Sequence, residues 1–235
     1  MATFGGPNIV TDGLVFYIDP ANTDSYISGS ETTFSLFPSS SIILTGSLIN
    51  DVSGSMGNKS SFNFDGVGDY IQLPTASFLS SATALTVSYW GYAASNGNRL
   101  IMGNKNPSNW EGIQLFTSTY NGGTVFFRCM GGSSPQNKYA LGTLTDNSGW
   151  HNYVGVYNYG DSGDRYMKVY IDGEQSGTIE TSPPEYTWSQ TGDNFTIGKE
   201  GSTYTNGDMS CIMMYNRALS AQEVKQNYNA INRFT

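Results

Sequence analysis

The chain has 235 residues and a net charge of −8, with 11 basic and 19 acidic side chains and no basic run. A nucleic-acid-binding protein needs a basic surface, so the composition excludes that class. The 12 Phe, 4 Trp and 16 Tyr outnumber the charged residues, which favours β-structure and excludes a disordered chain. No apolar run approaches the roughly 20 residues of a membrane-spanning helix, so membrane insertion is not predicted.

Residues 1–12 form an irregular arm rich in Gly and Pro, and lack the pattern of a secretory signal. The segment GLVFYID (13–19) is a first strand, and residues 20–60 predict long loops with one or two short strands. Residues 61–73 predict a hairpin, because alternating phenylalanines precede a Gly-rich turn.

Strand patterns then follow one another up to residue 215. They are LTVSYWGYA, RLIMGN, GIQLFTS, TVFFRCM, HNYVGVYNY, RYMKVYIDG, NFTIGK and MSCIMMY. About twelve strands are many for one open sheet, so two packed antiparallel sheets are expected. No linker interrupts the series, and residues 13–235 are predicted to form one domain.

One helix signal follows at NRALSAQEVKQNYNA (216–230). Ser220 and Glu223 have the spacing of a capping box, in which each side chain binds the backbone N–H of the other residue. A stripe at helical spacing is predicted to dock this short helix on the sandwich. The stripe consists of Val224, Tyr228 and Ile231.

Six motifs occur in the order typical of one family. They are FDGVGDYIQL, LTVSYWGY, GWHNYVGVYN, MKVYIDGE, FTIGK and GDMSCIMMYNRALSAQEV. This ordered set resembles the concanavalin A-like lectin/glucanase superfamily, specifically its laminin-G-like jelly rolls, over residues 13–232. The resemblance implies an all-β protein: an antiparallel two-sheet jelly-roll β-sandwich with a short C-terminal helix.

The opening IVTDGLVFYIDPANTDSY and the closing LSAQEVKQNYNA are together similar to lectin-like domains of tailed-phage virion structural proteins. This similarity implies a non-catalytic virion subunit of a fibre, tail, neck or capsid decoration. Its expected partners are other virion proteins, copies of itself and a host-surface glycan. The alternative is a carbohydrate-binding module of a secreted or cell-surface bacterial protein. In the virion, residues 1–12 would serve assembly, so a deletion of residues 2–12 is expected to leave the domain folded.

Alternation along two strands predicts an aromatic binding face. The aliphatic side chains Val154 and Val156 are expected in the core, which turns the neighbouring tyrosines outwards. Sugars stack on exposed aromatic rings flanked by polar groups, and contact with another protein subunit is the alternative use of such rings. The residues predicted to bind a glycan or a partner are Trp90, Tyr92, Trp110, Tyr120, Tyr153, Tyr157 and Trp188.

No residue is assigned a catalytic role. Glycoside hydrolases of this fold use closely spaced carboxylates on one strand, and the nearest match, Asp172 and Glu174, lies in a predicted hairpin turn. The single histidine, His151, is predicted to be structural. Cys129 and Cys211 lie in apolar strands and are interpreted as buried free thiols rather than a disulfide.

No cofactor is assigned, and calcium is left open because relatives of this fold often bind it. Calcium is held by carboxylate and carbonyl oxygens, although each candidate aspartate also suits a turn. The candidate pairs are Asp65 with Asp69, Asp161 with Asp164, and Asp19 with Asp208.

Overall fold

The part of the chain that the structure describes is built mainly of β-strands, with one short helix. The computed structural model describes residues 8–21, 33–34, 46–49, 53–55, 61–73, 82–93, 99–106, 111–118, 123–131, 136–144, 149–160, 164–186 and 195–231. The elements in chain order are β1 Leu14–Ile18, β2 Thr33–Phe34, β3 Gly46–Ile49, β4 Ser53–Ser55, β5 Ser61–Asp65, β6 Tyr70–Leu73, β7 Ala84–Ala93, β8 Ile101–Asn106, β9 Glu111–Ser118, β10 Thr124–Gly131, β11 Gln136–Thr143, β12 His151–Asn158, β13 Tyr166–Ile171, β14 Glu174–Glu180, β15 Phe195–Ile197, β16 Lys199–Glu200, β17 Thr203–Tyr204, β18 Asn206–Tyr215 and α1 Ala221–Ala230.

Sixteen of the described strands form two antiparallel layers, and β16 pairs with β17 in a small separate sheet. The first sheet has the order β14-β13-β12-β7-β18-β5-β4, with β1 also paired to β18. The second sheet has the order β2-β3-β6-β15-β8-β9-β10-β11. Strand β14 joins the two layers, because Leu141 of β11 lies opposite Thr178 of β14. The predicted antiparallel jelly-roll sandwich is thereby confirmed.

The main core lies between the two sheets. Val87 and Tyr157 of the first sheet belong to the same buried cluster as Leu115 and Phe127 of the second. Gly155 brings the layers into direct contact, because a Cβ there would overlap the Phe127 ring. Full burial of one such large side chain contributes about 1.5–3 kcal/mol, so these residues hold the layers together.

The predicted hairpin at residues 61–73 is wrong. Strand β5 pairs with β4 and β18 in the first sheet, whereas β6 pairs with β3 and β15 in the second. The turn between them carries the chain over the sandwich edge, and the Asp65 carboxylate stabilises it by accepting the Val67 N–H at 2.7 Å. Phe64 of β5 and Ile71 of β6 both point into the core, so the crossing adds one strand with an apolar inner face to each sheet.

The helix begins at the predicted capping box. Glu223 N–H donates to Ser220 Oγ at 3.3 Å, and Ser220 N–H donates to Glu223 Oε2 at 2.8 Å. Val224 and Ile231 are buried on the outer side of the first sheet, so the predicted docking of the helix is confirmed. Within the described parts of the chain, no helix is long and apolar enough to cross a membrane.

The NRALS segment has a structural role that its residues explain. The Arg217 guanidinium forms a bidentate ion pair with Glu223, at 2.6 and 3.0 Å, and a third contact with Asp12 at 2.9 Å. Thr86 of β7 fixes the backbone here, since its hydroxyl donates to Arg217 O at 2.8 Å and accepts Leu219 N–H at 3.0 Å. The segment therefore anchors the start of the helix to the first sheet.

The Glu223 ion pair predicts a pH-dependent stability. Its hydrogen bonds to Arg217 lower the Glu223 pKa from 4.5 to about 2. A lowered folded-state pKa adds stability that is complete above pH 4.5 and is lost as the pH falls towards 2. Because the pair is partly exposed and screened by solvent, we expect it to contribute about 1 kcal/mol to the free energy of unfolding. Urea unfolding of wild type and Glu223→Gln between pH 7 and pH 2 measures this contribution. The difference in free energy of unfolding between the two proteins should shrink as the pH falls. A difference that stayed constant would show that the ion pair does not lower the Glu223 pKa.

Residues 8–12 pack against the domain. Val10 is buried, its N–H donates to Asn227 Oδ1 of α1 at 2.7 Å, and its carbonyl accepts the Tyr215 hydroxyl at 2.9 Å. Asn227 Nδ2 also donates to the Tyr215 hydroxyl at 3.0 Å. This described part of the predicted arm therefore belongs to the fold, whereas residues 1–7 lie outside the described residues.

Candidate functional site

The predicted assignment of faces on β12 is wrong. Directly opposite residues of an antiparallel pair share a face, and Tyr153 lies opposite Tyr89 while Tyr157 lies opposite Leu85. Tyr153 and Tyr157 are 3% and 0% exposed and point into the core between the sheets. The Tyr157 hydroxyl donates to Pro184 O at 3.0 Å, and burial raises its pKa. Neither ring is available to a ligand.

The opposite face of the same strands lies under the helix. Val154 and Val156, predicted for the central core, belong to the cluster beneath α1. Trp90 is 0% exposed, and its ring stacks on Tyr228 of α1 with centroids 5.4 Å apart. The helix therefore covers the surface that was predicted to hold an aromatic binding face.

The structure describes one of the four remaining predicted binding residues. Tyr92 is half-buried beside Trp150, with ring centroids 6.2 Å apart, and its role in binding stays a prediction. Trp110, Tyr120 and Trp188 lie outside the described residues, so their roles stay predictions as well.

An aromatic face does occur, on the outer side of the second sheet. One row of directly opposite residues crosses β8, β9, β10 and β11 and is apolar. It consists of Ile101, Phe116, Phe126 and Leu141. A second row beside it is polar and consists of Gly103, Gln114, Arg128 and Tyr139.

Exposure rises across both rows in the same direction. In the apolar row Ile101 is 0% exposed, Phe116 7% and Leu141 36%. In the polar row Gln114 and Arg128 are buried, whereas Tyr139 is half-exposed. The outer face is therefore covered at β8, at β9 and at Arg128 of β10, and it is open from Phe126 of β10 to Tyr139 and Leu141 of β11. We call the open part the shelf, formed by Phe126, Tyr139 and Leu141.

The rings of the shelf are held in place by their neighbours. Phe126 stacks on Phe116 with centroids 4.9 Å apart and planes 2° apart, and meets Tyr139 edge-on at 6.0 Å. The Tyr139 hydroxyl accepts a hydrogen bond from Asn137 Nδ2 at 2.6 Å. Such aromatic pairs contribute about 0.5–1.5 kcal/mol beyond their buried area. The shelf is thus an apolar surface that is ordered before any ligand arrives.

A buried guanidinium borders the shelf. Arg128 lies 5.3 Å above the Phe116 ring centroid, and its Nη2 donates to Gln114 Oε1 and, at 2.9 Å, to Glu200 Oε1. Its Nε is buried and has no hydrogen-bond partner among the described residues. An unmet buried donor costs about 1–3 kcal/mol, and because this nitrogen is buried, the guanidinium supports the sheet beneath the shelf and does not offer a contact to a ligand.

A cleft of about 200 Å³ opens at the far end of β11. It lies where the β13–β14 hairpin approaches the ends of β11 and β12. The turn of this hairpin has positive φ at Asp172 (53°) and Gly173 (78°), as the Asp-Gly pair predicts. The cleft is lined by Thr143, Leu144, His151, Ile171, Asp172, Glu174, Gln175 and Ser176.

The acidic and imidazole groups of the cleft are engaged in structural contacts. Asp172 Oδ2 lies 2.8 Å from His151 Nδ1, and Asp172 Oδ1 accepts Asn152 N–H at 2.9 Å. Glu174 Oε1 accepts from Lys225 of α1 at 2.6 Å. Asp172 therefore fixes the start of β12 and the His151 ring, in agreement with the predicted structural role of that histidine.

The two cysteines are free and buried, as predicted. Cys129 lies between the sheets and Cys211 lies in the cluster beneath α1, so the first sheet separates them. Burial raises the pKa of the Cys129 thiol, which keeps it protonated and a poor nucleophile.

Among the residues described, no three His, Cys, Asp or Glu side chains are grouped as metal ligands. The Asp65 carboxylate accepts turn N–H groups, and Asp208 accepts from Ser61 and Asn63 at 3.2 and 3.1 Å. Asp161 lies outside the described residues. Calcium binding stays a prediction without a favoured pair.

The sequence also matches a family model, Laminin_G_3 of the concanavalin A-like lectin/glucanases superfamily, over residues 65–225. The chain belongs to this superfamily. The match covers strands of both layers and the start of α1, so it includes the shelf and the cleft. No curated protein matches the chain significantly in sequence.

Solved structures of this superfamily fold include several binding domains. The binding domain of Paraclostridial Mosquitocidal Protein 1 has 15% identity and a TM-score of 0.67 over 93% of this chain and 52% of its own. The receptor binding domain of botulinum neurotoxin C/D mosaic serotype has 14% identity and a TM-score of 0.66 over 94% and 52%. This chain thus spans about half of each toxin domain. At these identities the similarity shows the fold alone.

A similar domain of matching size belongs to a polysaccharide-degrading enzyme. It is domain 4 of AbnA, a GH43 extracellular arabinanase from Geobacillus stearothermophilus, solved in complex with arabinotriose. It has 15% identity and a TM-score of 0.60, over 92% of this chain and 98% of its own. Two of these three solved neighbours are described as binding domains, and the third as a domain in complex with arabinotriose.

Proposed function

We propose that this superfamily member is a non-catalytic, lectin-like binding domain that holds a glycan on the shelf. The observation that carries the proposal is the open end of the two rows, where the ordered, partly exposed rings of Phe126 and Tyr139 lie beside two polar groups, the Tyr139 hydroxyl and the Asn137 amide. Sugars present an apolar face to aromatic rings and hydroxyl oxygens to polar groups at the edge. The shelf offers both kinds of contact.

Binding without hydrolysis fits the carboxylates near the shelf and in the cleft. Glycoside hydrolysis needs an acid and a second carboxylate on either side of the scissile bond. Glu200 is committed to Arg128, and both oxygens of Asp172 accept structural hydrogen bonds. The similarity to domain 4 of the arabinanase, which was solved with arabinotriose, supports a glycan as the ligand class.

Replacing Tyr139 with alanine tests the shelf. Loss of the ring should weaken glycan binding roughly tenfold, because stacking on an aromatic ring is worth about 1 kcal/mol or more. A glycan array identifies the bound sugar, and isothermal titration calorimetry of wild type and Tyr139→Ala measures the difference.

Two further variants control this experiment. Tyr139→Phe keeps the ring and should keep most of the affinity, while Val67→Ala removes a side chain that is 76% exposed on the β5–β6 turn and should change nothing. Unchanged glycan affinity in Tyr139→Ala would show that the glycan site does not lie on the shelf. A changed oligomeric state without any glycan binding would instead assign the shelf to contact between subunits.

A second proposal places the domain in a tailed-phage virion, where it would bind virion proteins and copies of itself and present the shelf to host-surface glycans. It rests on the resemblance of the opening segment, from Ile9, and of the closing segment to virion proteins. The two segments are in contact in the fold, since Val10 N–H donates to Asn227 of α1 at 2.7 Å. An electron cryo-microscopy map of the parent particle tests this; absence of the sandwich would favour a secreted or cell-surface carbohydrate-binding module.

A further inference from the structure

Strand β11 connects the shelf to the cleft along one continuous surface. Tyr139, Leu141 and Thr143 alternate along β11 and point to the same outer side, while Gly142 between them faces Val169 of the core. Leu141 and Thr143 are both exposed, and Thr143 already lines the cleft. Four residue steps of a strand span about 13 Å, which is longer than one sugar ring and suits a short chain of linked sugars.

The cleft supplies polar groups of the kind that bind sugar hydroxyls. The Thr143 hydroxyl and the Gln175 amide are exposed at its rim, and together they offer both donors and acceptors. Leu144 and Ile171 give an apolar floor. A cleft of about 200 Å³ accommodates one sugar unit at the end of a chain.

The charges along the surface select against an acidic sugar in the cleft. No Lys or Arg is among the residues that line it, and its two carboxylates, Asp172 and Glu174, are engaged with His151 and Lys225, so the lining offers no cation to pair with a uronic or sialic acid. At the shelf, the Arg128 guanidinium is already paired with Glu200 at 2.9 Å, so no full positive charge remains for an anion. The surface therefore suits hydroxyl groups rather than carboxylates.

We propose that the shelf and the cleft form one extended site for an uncharged linear oligosaccharide, with one sugar on Phe126 and Tyr139 and the chain running along β11 into the cleft. This inference rests on the proposed glycan binding and adds the length, the charge and the direction of the ligand.

The test is a length series of uncharged oligosaccharides. Gluco-, manno-, xylo- and arabino-oligosaccharides of one to six units are titrated into wild type, Gln175→Ala and Tyr139→Ala, with the exposed helix variant Gln222→Ala as a matched control. Affinity should rise with length and then level off. Gln175→Ala should weaken the longest ligands roughly tenfold, through lost hydrogen bonds, and leave the shortest unaffected, whereas Tyr139→Ala should weaken all lengths.

The outcomes separate this inference from the proposed function. Equal affinity for all lengths, an equal effect of Gln175→Ala on short and long ligands, or a preference for acidic oligosaccharides would each overturn the extended site while leaving the shelf as a glycan site. A lack of binding to every oligosaccharide, acidic or neutral, would overturn both.

Discussion

Replacing Gly177 with alanine should lower the free energy of unfolding by about 3–4 kcal/mol. Gly177 has φ of 70°, in the left-handed region, and a Cβ there would overlap the backbone carbonyl oxygen of Leu141. Backbone atoms of a paired strand cannot move aside as a flexible side chain does. The residue lies in β14 where that strand turns from one sheet to the other, so the variant should also separate the edges of the cleft.

Gly201 provides the matched control. It also has positive φ, 58°, but nothing lies within 4 Å of where its Cβ would be. Gly201→Ala should therefore lower the free energy of unfolding by only about 1 kcal/mol, the cost of placing alanine in the left-handed backbone conformation. Chemical denaturation of both variants gives the two values, and equal losses would show that the contact with Leu141 does not limit this position.

Replacing Asn227 with alanine should destabilise the domain by about 3 kcal/mol. The Asn227 amide is buried and joins α1 to β18 and to the segment before β1: it accepts Val10 N–H at 2.7 Å and donates to the Tyr215 hydroxyl at 3.0 Å. Without it, the backbone donor and the hydroxyl lose a partner in a site that excludes water. Thermal and urea unfolding of the purified domain measure the loss.

Asn229 controls for the change of residue type on the same helix. It is exposed in α1, so Asn229→Ala should stay within about 0.5 kcal/mol of wild type, because alanine is the better helix former. If both asparagine variants behaved alike, the buried hydrogen bonds would contribute no measurable stability.

The same contacts revise the expectation for a terminal deletion. Deletion of residues 2–12 was expected to leave the domain folded, but it removes Val10 and with it the hydrogen bonds to Asn227 and Tyr215. A deletion of residues 2–7 spares them. Only the shorter deletion therefore tests a role in assembly without also weakening the fold.

Much of the fold could be predicted because its signals are local. Alternating side chains, the Asp172–Gly173 turn and the Ser220–Glu223 capping box depend on neighbours within a few residues. The hairpin predicted at residues 61–73 failed because the same turn residues also suit a crossing between sheets. Pairing partners such as β5 with β18 lie far apart in sequence, and no local pattern specifies them.

The binding face was predicted on the wrong side for a related reason. Alternation divides β12 into two faces, and both are buried. The helix covers the face of Val154, and the second sheet covers the face of Tyr153. Hydrophobicity therefore does not show which face points outwards. Gly155, on the tyrosine side, was the available signal of close contact with the other sheet. The alternation of Phe126 and Arg128 in TVFFRCM indicates that this side of β10 faces outwards. The shelf itself also needs the pairing of Phe126 with Leu141, which the sequence does not specify.

The position of β18 has a consequence for how the protein folds during synthesis. This strand lies at the middle of the first sheet, paired with β1, β5 and β7, yet it follows every other strand described here. While residues up to 205 emerge from the ribosome, those three partners lack the strand that joins them. Contacts across such large sequence separations give a high contact order and slow folding, so the nascent chain should need protection from aggregation until residue 215 is made.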